Sequence, residues 1–284
     1  MNRSSLPNGK NRRLDGTKVA VHCFLILSIL LIGFPLYYAF VISTQSMDEV
    51  IQTPQKLWPS KYLWDNYTKI WTRLDMSRLL INSTIVALAV SLGKIAISIT
   101  SAFAIVYFNF RGKQIFFWMI FVTLMLPVPV QIISTYQVIS QLGWVDTYLG
   151  LTIPLIASAT ATFLFRQFYL TIPDELADAA KIDGSGPLRF LWSVILPNSG
   201  ANIAALFVVM FIYGWNQYLW PLMVTGSEKM RVVVVGIAST IPSGTQPPEW
   251  NLVMAVAMMA LIPPVLVVLL MQRYFMHGLL ETEK

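Results

Sequence analysis

The chain has 284 residues, 56% of them hydrophobic and only 12% charged, with a formal net charge of +6. That balance is too apolar for a soluble domain and places the chain among integral membrane proteins. One cysteine excludes an internal disulfide, and with only two histidines beside it no metal-ligand cluster or nucleophile constellation is available.

Basic residues gather at the start, where Arg3, Lys10, Arg12, Arg13 and Lys18 stand against Asp15. A basic segment before an apolar run reads as an orientation signal, so residues 1–18 are expected to form a cytoplasmic leader and no nucleic-acid partner is implied. A helix crosses the hydrocarbon core in about 20 residues. Six runs meet that length: 19–43, 79–108, 115–139, 148–168, 203–224 and 252–275. The expected fold is therefore all-α and integral to the membrane, with six transmembrane helices in one lipid-embedded domain, 19–284, and both termini in the cytoplasm. The first run is too long for a signal-peptide core and lacks a small-residue cleavage site, so it is expected to be retained. Cys23 within it reads as a small buried hydrophobe.

The segment 45–77 should lie outside, with Trp58, Trp64, Trp71, Tyr62 and Tyr67 as an interfacial belt. Polar residues inside spans are costly and so become candidates for function. Asn82 and Lys94 in the second run, Gln131 in the third, and Asn216 and Gln217 in the fifth are the candidates for a substrate pathway, with an interhelical hydrogen bond as the competing role of each. Every Asp and Glu lies outside the six runs, which leaves Lys94 without an acidic partner in any span and argues against an ion-coupled carrier. Pro127, Pro129, Pro154, Pro221, Pro263 and Pro264 are expected to kink or break their helices. Residues 226–250 should form an irregular outward-facing lid or docking surface.

Residues 171–200 carry the signals of two short helices meeting at a glycine turn. Pro173 and Pro187 suit first helical positions, and Gly184 suits the place after a helix end. In the second helix Leu188, Leu191, Trp192 and Ile195 recur at i, i+3, i+4, i+7, predicting one apolar stripe against a protein or membrane surface. In the first, Ala177, Ala179 and Ala180 sit among Asp174, Glu175, Asp178 and Asp183, so a partner could approach closely. None of the pairs Gly9-Lys10, Gly93-Lys94 and Gly112-Lys113 completes a phosphate-cradling loop, so the chain has no such ATP site of its own. A membrane subunit with a docking hairpin and no engine implies a separate engine.

Asp178-Ala179-Ala180, three residues, Gly184, nine residues, Val194, one residue, Leu196-Pro197 resembles the EAA loop of permease subunits of ATP-binding-cassette importers. In that pattern Glu and Ile stand where this chain has Asp178 and Val194. The resemblance implies a non-catalytic translocation subunit in the bacterial cytoplasmic membrane, with a coupling helix between transmembrane helices four and five. It further implies a second homologous permease, two cytoplasmic ATPase subunits that bind ATP and Mg, and an external solute-binding protein, while this chain itself binds no cofactor. Carried over, Glu175, Asp178, Ala179, Ala180, Gly184, Leu196 and Pro197 would couple to the ATPase. Residues 117–127, 157–168 and 211–222 are similar to the second permease subunits of bacterial sn-glycerol-3-phosphate importers, in the carbohydrate-uptake group. That likeness runs from about Pro35 onward and implies sn-glycerol 3-phosphate or a glycerophosphodiester as substrate. The alternatives are a permease of the same kind for neutral oligosaccharides or monosaccharides, and an ion-coupled secondary transporter.

Overall fold

The computed structural model describes residues 16–123, 128–242, 244 and 247–281, and every regular element among them is helical. The predicted leader therefore lies almost wholly outside the described residues, as does Pro127. In chain order the helices are α1 (Gly16–Ser43), α2 (Met47–Ile51), α3 (Leu63–Arg73), α4 (Met76–Tyr107), α5 (Lys113–Val122), α6 (Val128–Gln141) and α7 (Tyr148–Thr152). They continue with α8 (Ala159–Tyr169), α9 (Asp174–Ile182), α10 (Pro187–Phe190), α11 (Leu196–Asn198), α12 (Gly200–Trp215), α13 (Leu219–Val224), α14 (Val233–Ser239) and α15 (Trp250–Glu281).

Three of these are long and apolar enough to cross a bilayer unbroken: Ala20–Ser43, Met76–Tyr107 and Trp250–Tyr274. Two further stretches pass only as bent pairs, Tyr148–Leu155 with Ala159–Tyr169 at 46° and Pro187–Asn198 with Gly200–Trp215 at 77°. The expected breaks in runs 148–168 and 203–224 are present: the first turns between α7 and α8 just after Pro154, and the second leaves α12 after Trp215 and resumes at Leu219, two residues before Pro221. Run 115–139 holds α5 and α6, and residues 124–127 between them lie outside the described residues. Hydropathy measures the cost of leaving water and does not register a local break, provided the freed backbone faces protein or a cavity. Pro263 and Pro264 lie inside α15 without ending it, so no break occurs there. Two adjacent prolines remove two donors, and the backbone bonds on either side carry the helix through.

α4 is the axis of the molecule, packed against α12 on one flank and α8 on another, while α15 packs on α12 and α1. At the α4–α12 crossing a Cβ on Gly214 would stand 3.0 Å from Ala87 Cα, so any larger residue would push the two helices slightly apart. α1 stands apart: 11% of its apolar window is buried, and Cys23 is exposed on its surface rather than buried as expected. The interior forms one cluster toward the α9–α11 hairpin, around Phe103, Phe165, Tyr169, Phe190 and Ile195. Two more lie toward α3 and α14, around Phe211, Trp215 and Leu252, and around Val86, Leu151 and Trp220. The expected irregular lid contains a helix, α14, whose Val233 and Val235 are buried and whose entry is held by Val233 N–H donating to Ser83 Oγ at 2.7 Å.

Candidate functional site

The two helix breaks face one space. Between α7 and α8 the chain makes a tight turn at Ile153–Leu155 and runs through Ala157; between α12 and α13 it runs through Asn216–Tyr218. Together with the start of α6 and the middle of α4 they line an open cavity of about 360 Å3, bordered by Lys94, Gln131, Thr135, Ala157, Tyr213, Asn216 and Gln217 among others. Irregular backbone is tolerated at membrane depth where it lines such a cavity. The breaks are also satisfied locally: Gln217 Nε2 donates to Tyr213 O at 3.1 Å, Trp220 Nε1 to Gly150 O at 3.0 Å and Ser98 Oγ to Ser158 O at 3.4 Å.

Lys94 is 6% exposed. Its Nζ lies 4.3 Å from the centre of the Tyr213 ring and donates to Ala157 O at 3.4 Å. Tyr213 belongs to the last turns of α12, where both the ring face and the negative end of the helix dipole favour a cation. Among the described residues no carboxylate forms an ion pair with Lys94. Four of the five predicted pathway residues, Lys94, Gln131, Asn216 and Gln217, are therefore brought to one cavity. Asn82 is not. It is 2% exposed, and its Nδ2 donates to Lys229 O at 2.8 Å and Arg231 O at 2.9 Å while its Oδ1 accepts from Tyr148 OH at 2.6 Å. With both amide hydrogens and its oxygen engaged away from the cavity, Asn82 ties α4 to α7 and the segment before α14, and the pathway assignment is withdrawn. Tyr213, which lies in the last turn of α12 beside Lys94, was missed in the sequence.

The hairpin begins one residue later than expected, with Pro173 at the N-cap and Asp174 first in α9, while Pro187 takes the first position of α10. Gly184 has φ +67. Ser185 N–H donates to Ala180 O at 2.9 Å and Gly184 N–H to Lys181 O at 3.0 Å, the two bonds of a Schellman ending that needs a left-handed residue at that place. Glu175, Asp178 and Ala179 are exposed, and Asp178 pairs with Lys181 at 2.9 Å. Ala180 is 8% exposed and packs inward, so this alanine serves the chain's own core rather than a partner's approach.

The predicted stripe also divides. Leu191 and Ile195 are buried while Leu188 and Trp192 are exposed, because of the two neighbouring i,i+4 ridges of the segment only one is covered once Phe190 is seated edge-on against Tyr107, 5.2 Å between ring centres. A π-turn over Leu191–Ile195 carries the chain from α10 into α11. Leu196 is half-buried and Pro197 exposed before the 77° bend into α12.

At the far end, Asn66 Nδ2 donates to Ser43 O at 2.9 Å and Gln45 O at 2.8 Å, and its Oδ1 accepts from Asn251 Nδ2 at 3.1 Å. Glu249 accepts from Arg73 and from Lys69, and these two cations hold its carboxyl below the usual range. Asp146 is likewise held low by Ser227 and Gly226, whose backbone N–H groups each donate to its Oδ1 at 3.1 Å. Trp58, Trp64 and Trp71 are exposed around this end, as an interfacial belt requires.

Broken helices around a central cavity, with a two-helix projection at one end, define the fold of a transmembrane transport subunit. The molecule superposes with a TM-score of 0.80, over 97% of its length and 100% of the other chain, on the crystal structure of a bacterial ABC transporter involved in the import of the acidic polysaccharide alginate, at 22% identity. The family described as binding-protein-dependent transport system inner membrane component matches residues 94–280, and the chain belongs to that family. It is 53% identical over 274 residues to the sn-glycerol-3-phosphate transport system permease protein UgpE of Agrobacterium fabrum (strain C58), covering 94% of this chain and 97% of that one. Against the protein of the same description from Yersinia pestis bv. Antiqua (strain Antiqua) it is 52% identical over 281 residues, covering 97% and 99%. The chain is thus a multi-pass inner-membrane transport component rather than a catalyst.

Proposed function

We propose that the chain is one of the permease subunits of an ATP-driven, binding-protein-dependent importer of sn-glycerol 3-phosphate. It crosses the membrane six times, with α5 and α6 forming the third crossing, α7 and α8 the fourth, and α12 and α13 the fifth. Both termini and the α9–α11 hairpin then lie in the cytoplasm. The observation that carries the mechanism is the mounting of that hairpin. Phe190, Leu191 and Ile195 are locked into the same buried cluster as Phe103 of α4 and Phe165 of α8, while Glu175, Asp178 and Ala179 face outward. A rigid projection fixed to the membrane helices transmits a rigid-body push, which a loose loop does not. Glu175, Asp178 and Ala179 would contact a cytoplasmic ATPase that binds ATP and Mg, with Ala180, Gly184, Leu196 and Pro197 holding the hairpin's shape. A second permease completes the passage, and an external solute-binding protein supplies the substrate. Near-complete alignment at 52–53% identity with permeases described for sn-glycerol 3-phosphate supports the substrate.

The test is uptake of labelled sn-glycerol 3-phosphate by proteoliposomes holding this chain with its partner permease, ATPase and binding protein, with maltose as competitor. Uptake that needs both ATP and the binding protein and ignores maltose is expected. Transport of a neutral sugar instead would overturn the substrate; transport without ATP would overturn the mechanism.

A further inference from the structure

We propose that Lys94 is the charge-recognition group of the translocation passage: its ammonium pairs with the phosphate of the crossing substrate, while the side chains of Gln131, Thr135, Asn216 and Gln217 engage the glycerol hydroxyls. The inference rests on the substrate reading above and adds to it that this permease itself reads the substrate.

Lys94 lies near the middle of α4, a helix of 32 residues, where an unpaired cation is costly. Its three N–H donors meet only neutral groups in the described structure, one distant carbonyl and one aromatic face. Those contacts hold the head group in place without cancelling its charge. Beside apolar walls such as Ile132, Leu155 and Leu219, the cavity carries the amides of Gln131, Asn216 and Gln217 and the hydroxyl of Thr135, groups that both donate and accept hydrogen bonds, as a polyol requires. Placement beside two helix breaks matters as well, since relative motion of α7 against α8, or α12 against α13, would open or close the space around the ammonium. A lone lysine also suits passage. A single point charge attracts the anion and still releases it. Both phosphate monoesters and diesters satisfy this recognition, and glycerol alone does not.

The experiment uses the complete complex in proteoliposomes, unmodified and with Lys94→Met or Lys94→Arg, measuring labelled sn-glycerol 3-phosphate uptake alongside ATP hydrolysis stimulated by the binding protein. Lys94→Met is expected to lower uptake on the order of 100-fold, as loss of one partner of a desolvated charge pair does, while stimulated hydrolysis persists. Lys94→Arg is expected to keep most of the uptake. Wild-type uptake by the methionine variant, or equal loss in the methionine and arginine variants, would overturn the role of Lys94 and leave the substrate reading standing. Failure of the unmodified complex to transport the ester would overturn both.

Discussion

Toward the hairpin, Phe103, Tyr107, Phe165, Tyr169 and Phe190 form a nearly continuous aromatic core in which the elements meet ring against ring. Toward α3 and α14 the loops are held differently, by the Asn66 and Asn82 amides on backbone carbonyls, Asp146 on two N–H groups, and Glu249 between Lys69 and Arg73. Dispersion and burial are short-ranged and favour one close-packed arrangement, so the first kind of joint behaves as a solid. Exposed ion pairs such as Glu249 with Lys69 and Arg73 exchange with water at little net cost, whereas the buried Asn66 and Asn82 amides hold their loops firmly through bonds that are costly to leave unmade.

The contrast can be broken most forcefully in the aromatic core. Phe190→Ala removes the ring that seats α10 on α4 and is expected to cost about 3–5 kcal/mol, as large core truncations do. Thermal unfolding of the purified protein should show the loss, and binding-protein-stimulated hydrolysis should uncouple from uptake. If stability were unchanged, the hairpin would not be anchored by that core. Next in size is Asn82→Leu, which leaves two backbone carbonyls and the Tyr148 hydroxyl without their partner and is expected to cost about 1–3 kcal/mol. Because Asn82 lies outside the cavity, the substrate KM should stay near its original value; a large rise in KM would restore it to the pathway.

Smallest is Glu249→Gln. Both its ion pairs are half exposed, so the loss should stay within about 1 kcal/mol and shrink further in high salt. Its pH dependence sharpens the test. Because Arg73 and then Lys69 hold the carboxyl below its ordinary 4.5, the contribution is complete above that value and is lost as pH falls through the lowered one. Unfolding midpoints of the wild type and Glu249→Gln should therefore differ near neutrality and converge in acid. A difference that persisted in acid would point to packing rather than charge.

Much of the hairpin was legible because its signals are local. Proline restricts φ and lacks a donor, and glycine alone enters the left-handed region cheaply, so Pro187 and Gly184 mark a helix start and a helix end wherever they are placed. The stripe over Leu188–Ile195 was less legible, since period alone does not say which of two neighbouring ridges the rest of the chain will cover. The cavity was legible as a list of costly polar residues and not as a place.

Composition and local sterics thus determined by themselves the membrane class, the approximate limits of the apolar runs and the punctuation of the 174–198 hairpin. Only the tertiary structure decided that Lys94, Gln131 and Asn216–Gln217 share one cavity, that Asn82 is a tie, that the breaks near Pro154 and Pro221 face the lysine and that Pro263–Pro264 break none. A helix that is apolar all round carries little record of which face meets which neighbour. That choice is made by close fits such as Gly214 against Ala87, between residues far apart in the chain.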